Sequence, residues 1–275
     1  MDGQWSSSNF PTAPFPLCTA DYALTFKIVD SGRPDIIIVK LKKLLPNFIK
    51  HPLLAYEWWR WKSRGLPAQS RQDILLFKAA LSQVGNDPLK VFEWGSGAST
   101  IYYPRYLDSI GRRFDWHAMD NSRPWYRKCQ DRISKAKLEE RVHAYYSEFP
   151  AFWEYPKYSI DDPIPPQSEI ESISVEKYVN FPVNLGLKFD LIVVDGRYRR
   201  RCLIAAKDAL ADDGVLILHD AQRTHYHSSL TGFGQVEWLT TGYMPGTKQL
   251  IQVALCSLNQ NLIISRLAKK FAEPS

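Results

Sequence analysis

The stretch Val91-Phe92-Glu93-Trp94-Gly95-Ser96-Gly97-Ala98-Ser99-Thr100 constrains this chain more than any other. An apolar run from Leu89 ends in an acid, a Gly-x-Gly turn follows, and a helical pattern opens near Ser99. The glycines let the backbone turn tightly and approach a ligand where a Cβ would collide. The helix start behind them offers unpaired N–H groups and a positive dipole end. This is the build of a nucleotide-type site. The carboxylate of Glu93 changes its preference, because it repels a pyrophosphate and attracts a cation.

The pattern repeats downstream. Strand Leu89–Glu93 is followed by helix Ser99–Leu107, strand Phe114–Asp120, helix Pro124–Lys135 and strand Arg141–Tyr146. After an interruption come strand Phe189–Val194, helix Tyr198–Leu210, a turn at Asp212-Asp213-Gly214 and strand Val215–Leu218. Such alternation predicts parallel strands joined by crossover helices. Two β-rich runs, Gln235–Thr241 and Gln249–Leu255, flank Gly242-Tyr243-Met244-Pro245-Gly246 and predict an antiparallel hairpin.

Three segments flank or interrupt this body. Residues 1–69 form an N-terminal extension: a loose tail, a hairpin over Tyr22–Val29 and Asp35–Lys40, and the aromatic, basic segment Leu41–Lys62. Pro46 and Pro52 break that segment into short helical pieces. Packing against the domain is favoured over rest on anionic lipid, because the prolines spoil a long amphipathic face. Ser70 or Asp73 caps a helix carrying Ile74, Phe77, Leu81 and Val84 at helical spacing. Residues 147–187 hold six prolines and several aromatics, and leave the carboxyl end of the third strand, which predicts a lid. Residues 257–275 read as a tail, a short basic helix or frayed.

Composition narrows the class. Of 275 residues, 45% are hydrophobic, enough for one sizeable core. Nine Trp and 14 Tyr suit a pocket for flat or sugar-like ligands, and equally ordinary packing. A net charge of +6 fits an anionic substrate, a membrane surface or nucleic acid and selects none of them. Cys18, Cys129, Cys202 and Cys256 lie far apart without a CxxC pair, as expected of reduced thiols in a cytoplasmic protein. Neither a secretory signal nor a run long enough to span a bilayer is evident.

In order, these motifs resemble the class I S-adenosylmethionine-dependent methyltransferases over residues 70–256. Glu93-Trp94-Gly95-Ser96-Gly97-Ala98-Ser99 resembles the first motif, Asp120 the acid after the second strand, and Phe189–Asp195 the fourth-strand motif. Leu210 to Asp220 resembles the motif around the fifth strand. Asp195-Gly196-Arg197-Tyr198-Arg199, with His219-Asp220, is similar to a bacterial subgroup whose relatives methylate sugar hydroxyls in polysaccharide and glycoside pathways. The resemblance implies a Rossmann-like α/β fold: a seven-stranded sheet with the last strand antiparallel. It implies S-adenosylmethionine contacts from Glu93, Gly95, Ser96, Gly97, Ser99, Asp120, Asn121, Tyr146, Ser147 and Asp195.

The residues suggest the chemistry of transfer to an alcohol. Strands four and five are neighbours in that fold, so Asp195 and Asp220 face each other at the strand tips. His219 is a candidate base with a near-neutral pKa, or a half-buried His bound to backbone. One of His219 and Asp220 aims at the substrate, unless the strand has already ended. Arg197 and Tyr226 are candidate acceptor contacts. Asp195 and Asp220 can also hold Mg²⁺, although Ala221 and Gln222 follow where metal-using relatives carry another ligand. The dinucleotide fingerprint wants a third glycine where Thr100 stands. The expected activity is therefore O-methylation of a sugar or other small hydroxylated acceptor. The alternatives are a nucleic-acid or protein methyltransferase, or a non-catalytic module docking on a glycan-assembly complex or membrane through 41–62. No concentrated basic stripe favours nucleic acid.

Overall fold

The computed structural model describes residues 52–148, 175–247 and 249–272. The N-terminal tail, the hairpin, the first part of the aromatic segment and the middle of the expected lid lie outside these residues.

Helix α1 (Pro52–Ser63) begins with its proline in the first turn, where no intrahelical N–H bond is lost. Tyr56 and Trp59 are exposed, whereas Trp61 is buried and donates its indole N–H to the Pro67 carbonyl. Helix α2 (Arg71–Gln83) is closed by a reciprocal capping box: Ser70 Oγ accepts from the Asp73 N–H, and Asp73 Oδ2 accepts from the Ser70 N–H. Both residues that could cap the helix therefore do so.

The alternation folds as expected. It runs β1 (Leu89–Trp94), α3 (Ser99–Ser109), β2 (Phe114–Asp120), α4 (Arg123–Ala136) and β3 (Val142–Tyr146). Beyond the undescribed stretch come the short α5 (Glu176–Val179) and α6 (Phe181–Asn184), then β4 (Phe189–Val194), α7 (Arg199–Ala209) and β5 (Leu210–Leu218). A 3-10 helix (Thr224–Leu230) leads to β6 (Gln235–Tyr243), β7 (Leu250–Ser257) and α8 (Leu262–Phe271). The sheet order is β3-β2-β1-β4-β5-β7-β6, with β7 antiparallel to both its neighbours. This is the Rossmann-like seven-stranded α/β sheet with its last strand antiparallel. The expected turn at Asp212–Gly214 is a bulge within β5, where pairing jumps from Phe189↔Leu210 to Leu191↔Val215.

One core lies on each face. Val91, Trp116, Leu191 and Ile217 pack against α2 and α3, while Phe92, Trp94, Phe189 and Leu216 pack against α7 and Tyr178. Two segments expected at the margins belong to these cores. The described end of the lid, 175–187, contributes Val175, Tyr178 and Val179, all buried, and Trp94 donates its indole N–H to the Tyr178 carbonyl. In the expected tail, α8 buries Ile264 and Leu267 against the first core. Full burial of such side chains contributes about 1.5–3 kcal/mol each, more than a frayed end could forgo.

Candidate functional site

The strand order reverses between β1 and β4, so their outgoing loops diverge and leave a crevice at the carboxyl ends. Two glycines set its floor. Gly95 has φ +96°, and a Cβ there would stand 2.8 Å from the Gly196 backbone. A Cβ on Gly196 would strike the Tyr178 hydroxyl and the Gly95 N–H. The two loops touch through bare backbone. Gly97 differs: a Cβ there would make only ordinary contact with Trp125 at 3.7 Å, so protein packing does not demand a glycine.

The turn is held by carboxylates that face neutral donors. Glu93 is buried and turned into the protein. Its Oε1 accepts from Ser99 Oγ, and its Oε2 accepts from Thr100 Oγ1 at 2.8 Å and Trp116 Nε1 at 3.1 Å. Thr100 Oγ1 in turn accepts from the Gly97 N–H at 2.8 Å. Glu93 is thus a brace between β1, β2 and the first turn of α3, and not the open contact for a cation that the sequence suggested. Burial pushes its carboxyl up to about 7, against those three hydrogen bonds, and the charge of Asp195 adds to the rise.

Asp120 ends β2. It accepts from Ser96 Oγ at 3.0 Å and from the Ser122 N–H at 2.8 Å. Burial raises its pKa against these bonds. The Ser122 bond fixes the start of α4, so Asp120 serves there as well as at the crevice. Trp125 donates its indole N–H to the Ser96 carbonyl, and the Ser147 N–H donates to the Asp120 carbonyl at 3.0 Å. Asn121 follows at the turn, half-buried. Tyr146 closes this side, but its ring is already stacked on Tyr126 at 5.7 Å, with the Arg123 guanidinium 5.5 Å from its centroid.

Across the crevice, at the tips of β4 and β5, the acids face cations. β5 ends at Leu218 and Asp220 adopts φ 56°, so strand alternation stops and His219 and Asp220 both reach the Asp195 side. Arg199 donates to Asp195 Oδ1 at 2.8 Å, to the Gly196 carbonyl and to the His219 carbonyl, and lies 3.4 Å from Asp220 Oδ2. Arg223 pairs with Asp220 at 3.1 Å. His219 is buried between Asp195, 3.2 Å from Nδ1, and Asp73, 3.4 Å from Nε2. Burial lowers the ring's pKa, but the Asp195 charge and the bonds to Asp195 and Asp73 outweigh it and raise it to about 10. Burial raises the Asp195 carboxyl, and the charges of His219 and Arg199 outweigh that and hold it below its ordinary value.

Several sequence expectations change here. His219 carries its proton at neutral pH and is no ready base. Arg199, not Arg197, enters the acid cluster, while Arg197 is exposed. Tyr226 is buried, with Arg199 5.6 Å above its ring, and forms part of the core wall. His227 donates to the Ala221 carbonyl. Ligand atoms of Asp195, His219 and Asp220 lie within 4.8 Å of one another. The guanidinium groups of Arg199 and Arg223 already neutralise those carboxylates, so the set does not fit a resident Mg²⁺.

Sequence patterning missed four residues: Asp73, Thr100, Trp125 and Arg199. Only Asp73 carried a local signal, as a helix cap, and that signal says nothing of His219.

No protein-family model matches the chain, and no curated protein matches it in sequence. Solved structures similar to it include a methyltransferase from Geobacter sulfurreducens, 15% identical with a TM-score of 0.42 over 81% of this chain and 97% of the other. A methyltransferase-like protein from Silicibacter pomeroyi is 16% identical, with a TM-score of 0.43 over 76% and 97%. TrmN from Thermus thermophilus is 12% identical, with a TM-score of 0.45 over 68% and 47%. The chain spans about half the length of TrmN and of the citrinin polyketide synthase CMeT domain structure. These likenesses are weak, and the strand order itself identifies the fold. Among the described residues, no helix is long and apolar enough to cross a membrane.

Proposed function

We propose that this chain is an S-adenosylmethionine-dependent methyltransferase acting on a hydroxyl of a sugar or other small acceptor. The observation that carries the reading is the acid-lined crevice at the switch point. Asp120 stands on one side of the Gly95–Gly97 turn and Asp195 on the other, with Glu93 beneath. Asp120, whose donors Ser96 and Ser122 are neutral, disfavours a phosphate there and suits a cation-bearing nucleoside. Gly97, which packing does not require, leaves backbone open to that ligand.

When bound, the cofactor supplies a methyl group on a sulfonium whose departing sulfide is neutral, so no acid is needed. The chain's own residues have two tasks. The first is placement, which can contribute roughly 7–11 kcal/mol. Asp120 accepts ribose hydroxyls, aided by Asn121. Ser96 and Ser147 hold the surrounding backbone, and Tyr146 borders the base.

The second task is the acceptor's proton. Asp195 Oδ1 is committed to Arg199 and His219, which leaves the acceptor to Oδ2 on a side chain that is 30% exposed. That oxygen orients the acceptor hydroxyl and takes its proton. A carboxylate held below its ordinary pKa is a weak base, but an alcohol oxygen becomes strongly acidic as its new bond to carbon forms. His219, Arg199 and Asp220 are positioning residues that keep Asp195 ionised and aimed.

Calorimetric titration with S-adenosylmethionine tests the core of the reading, and no detectable affinity overturns it. A screen with labelled cofactor against cell-envelope glycans and nucleotide sugars tests the acceptor class. Transfer to nucleic acid or protein alone would replace that class.

A further inference from the structure

A second cluster lies away from the crevice, on β2 and the edge strand β3. Asp115 and His117 alternate onto one face of β2, and His143 is the direct cross-strand partner of His117. The two imidazoles converge on one carboxylate oxygen: His117 Nε2 and His143 Nε2 each stand 3.1 Å from Asp115 Oδ1. All three ligand atoms lie within 4.8 Å of one another. Ligands about 2.0–2.1 Å from a tetrahedral zinc stand roughly 3.4 Å apart, so the spacing suits one ion.

The state of His117 points the same way. The residue is only 6% exposed, yet its Nε2 has no hydrogen-bond partner among the described residues. Asp115 Oδ1 is near enough, but too far off the ring's N–H direction to accept. The other ring nitrogen, Nδ1, is 3.0 Å from the Tyr145 hydroxyl. With Nδ1 donating to that hydroxyl, the Nε2 lone pair is left for a cation, directed beside the Asp115 oxygen rather than at it. An outer hydrogen bond of this kind is what orients a metal-bound imidazole. The His143 and Asp115 side chains are 36% and 34% exposed, so an ion can enter and keep water ligands. Lys90 is the nearby opposing charge.

We propose that Asp115, His117 and His143 bind one first-row divalent transition ion of the zinc class, with water completing the shell. Two imidazoles and one carboxylate suit such an ion better than Mg²⁺ or Ca²⁺, which prefer oxygen. The ion ties the edge strand β3 to β2, a few residues before Asp120 and Tyr146. It is a structural staple behind the crevice and takes no part in transfer.

The test uses the full chain, stripped with chelator and titrated with Zn²⁺ by calorimetry and with Co²⁺ by its visible absorption. The expected result is saturable uptake of a single ion per chain, with a rise in Tm. His143→Gln and Asp115→Asn should each weaken uptake by at least about 10-fold, and Tyr145→Phe by about 10-fold. His143 and Asp115 are partly exposed, so these variants should keep the metal-free Tm near that of the parent. If one of them fails to fold, the other decides. Asp212→Asn, at an exposed carboxylate on β5, should leave uptake unchanged. Absence of uptake, or uptake that survives both ligand changes, or uptake lost in Asp212→Asn, overturns the assignment.

Discussion

The two sides of the crevice satisfy their acids in opposite ways. At the tips of β1 and β2, Glu93 and Asp120 receive hydroxyls, an indole and backbone N–H groups, all neutral. At the tips of β4 and β5, Asp195 and Asp220 receive Arg199, Arg223 and a charged His219. Neutral donors do not offset the loss of hydration, so both acids on the first side are raised, Glu93 to about 7. Cations more than offset it, and Asp195 is lowered. One side is held by bonds that tolerate a proton. The other is a charge lattice that a single substitution unbalances. That contrast suits a site that must keep one carboxylate ionised beside a cationic ligand.

Asp195→Ala should break the lattice most. It removes one of the two carboxylates that His219 and Arg199 each face, so stability should fall by up to about 3–5 kcal/mol, read from urea unfolding. Turnover should drop by on the order of 10²–10⁴-fold, while the folded fraction still binds S-adenosylmethionine. Preserved turnover would move the reaction centre elsewhere. Arg199→Met should destabilise by a comparable about 3–5 kcal/mol, since it leaves two acids without their shared partner.

Glu93→Gln tests the neutral side through pH. Between its ordinary 4.5 and about 7, the folded carboxyl keeps a proton that the unfolded chain releases. Stability therefore falls as pH rises through that window, by about 3 kcal/mol at roughly 1.4 kcal/mol per unit. The difference in urea-unfolding free energy between pH 5 and pH 8 should shrink by roughly 2–3 kcal/mol in the variant. His219 acts in the same direction at higher pH. Its pairing is fully present below 6.5 and is lost as pH rises through about 10, and His219→Gln should remove that alkaline decline. Asp195 has the opposite sign, its contribution fading only as pH falls through its lowered pKa. Trp125→Phe should have the smallest effect, about 1 kcal/mol for the bond to the Ser96 carbonyl.

The sheet was largely legible because apolar strands buried on both faces announce themselves. Phe114–Asp120 and Phe189–Val194 match to the residue. The terminal hairpin was legible from its glycine-rich turn. Helix α8 was less so, since Leu262–Phe271 carries charge at its end and its partner α2 lies far back in the chain. The site was legible in its glycines and in the positions of its acids, but not in how those acids are used.

The sequence by itself determined the alternation, the strand–acid–Gly-x-Gly turn, the capping of α2 and the placing of Asp120, Asp195 and Asp220 at strand ends. These follow from local periodicity and backbone freedom. Tertiary structure decided the rest. It turned Glu93 inward to Trp116, chose Arg199 over Arg197, and set Asp73 against His219 across 146 residues. A side chain's partner depends on which strands become neighbours and where each one stops, and no local pattern of residues contains that information.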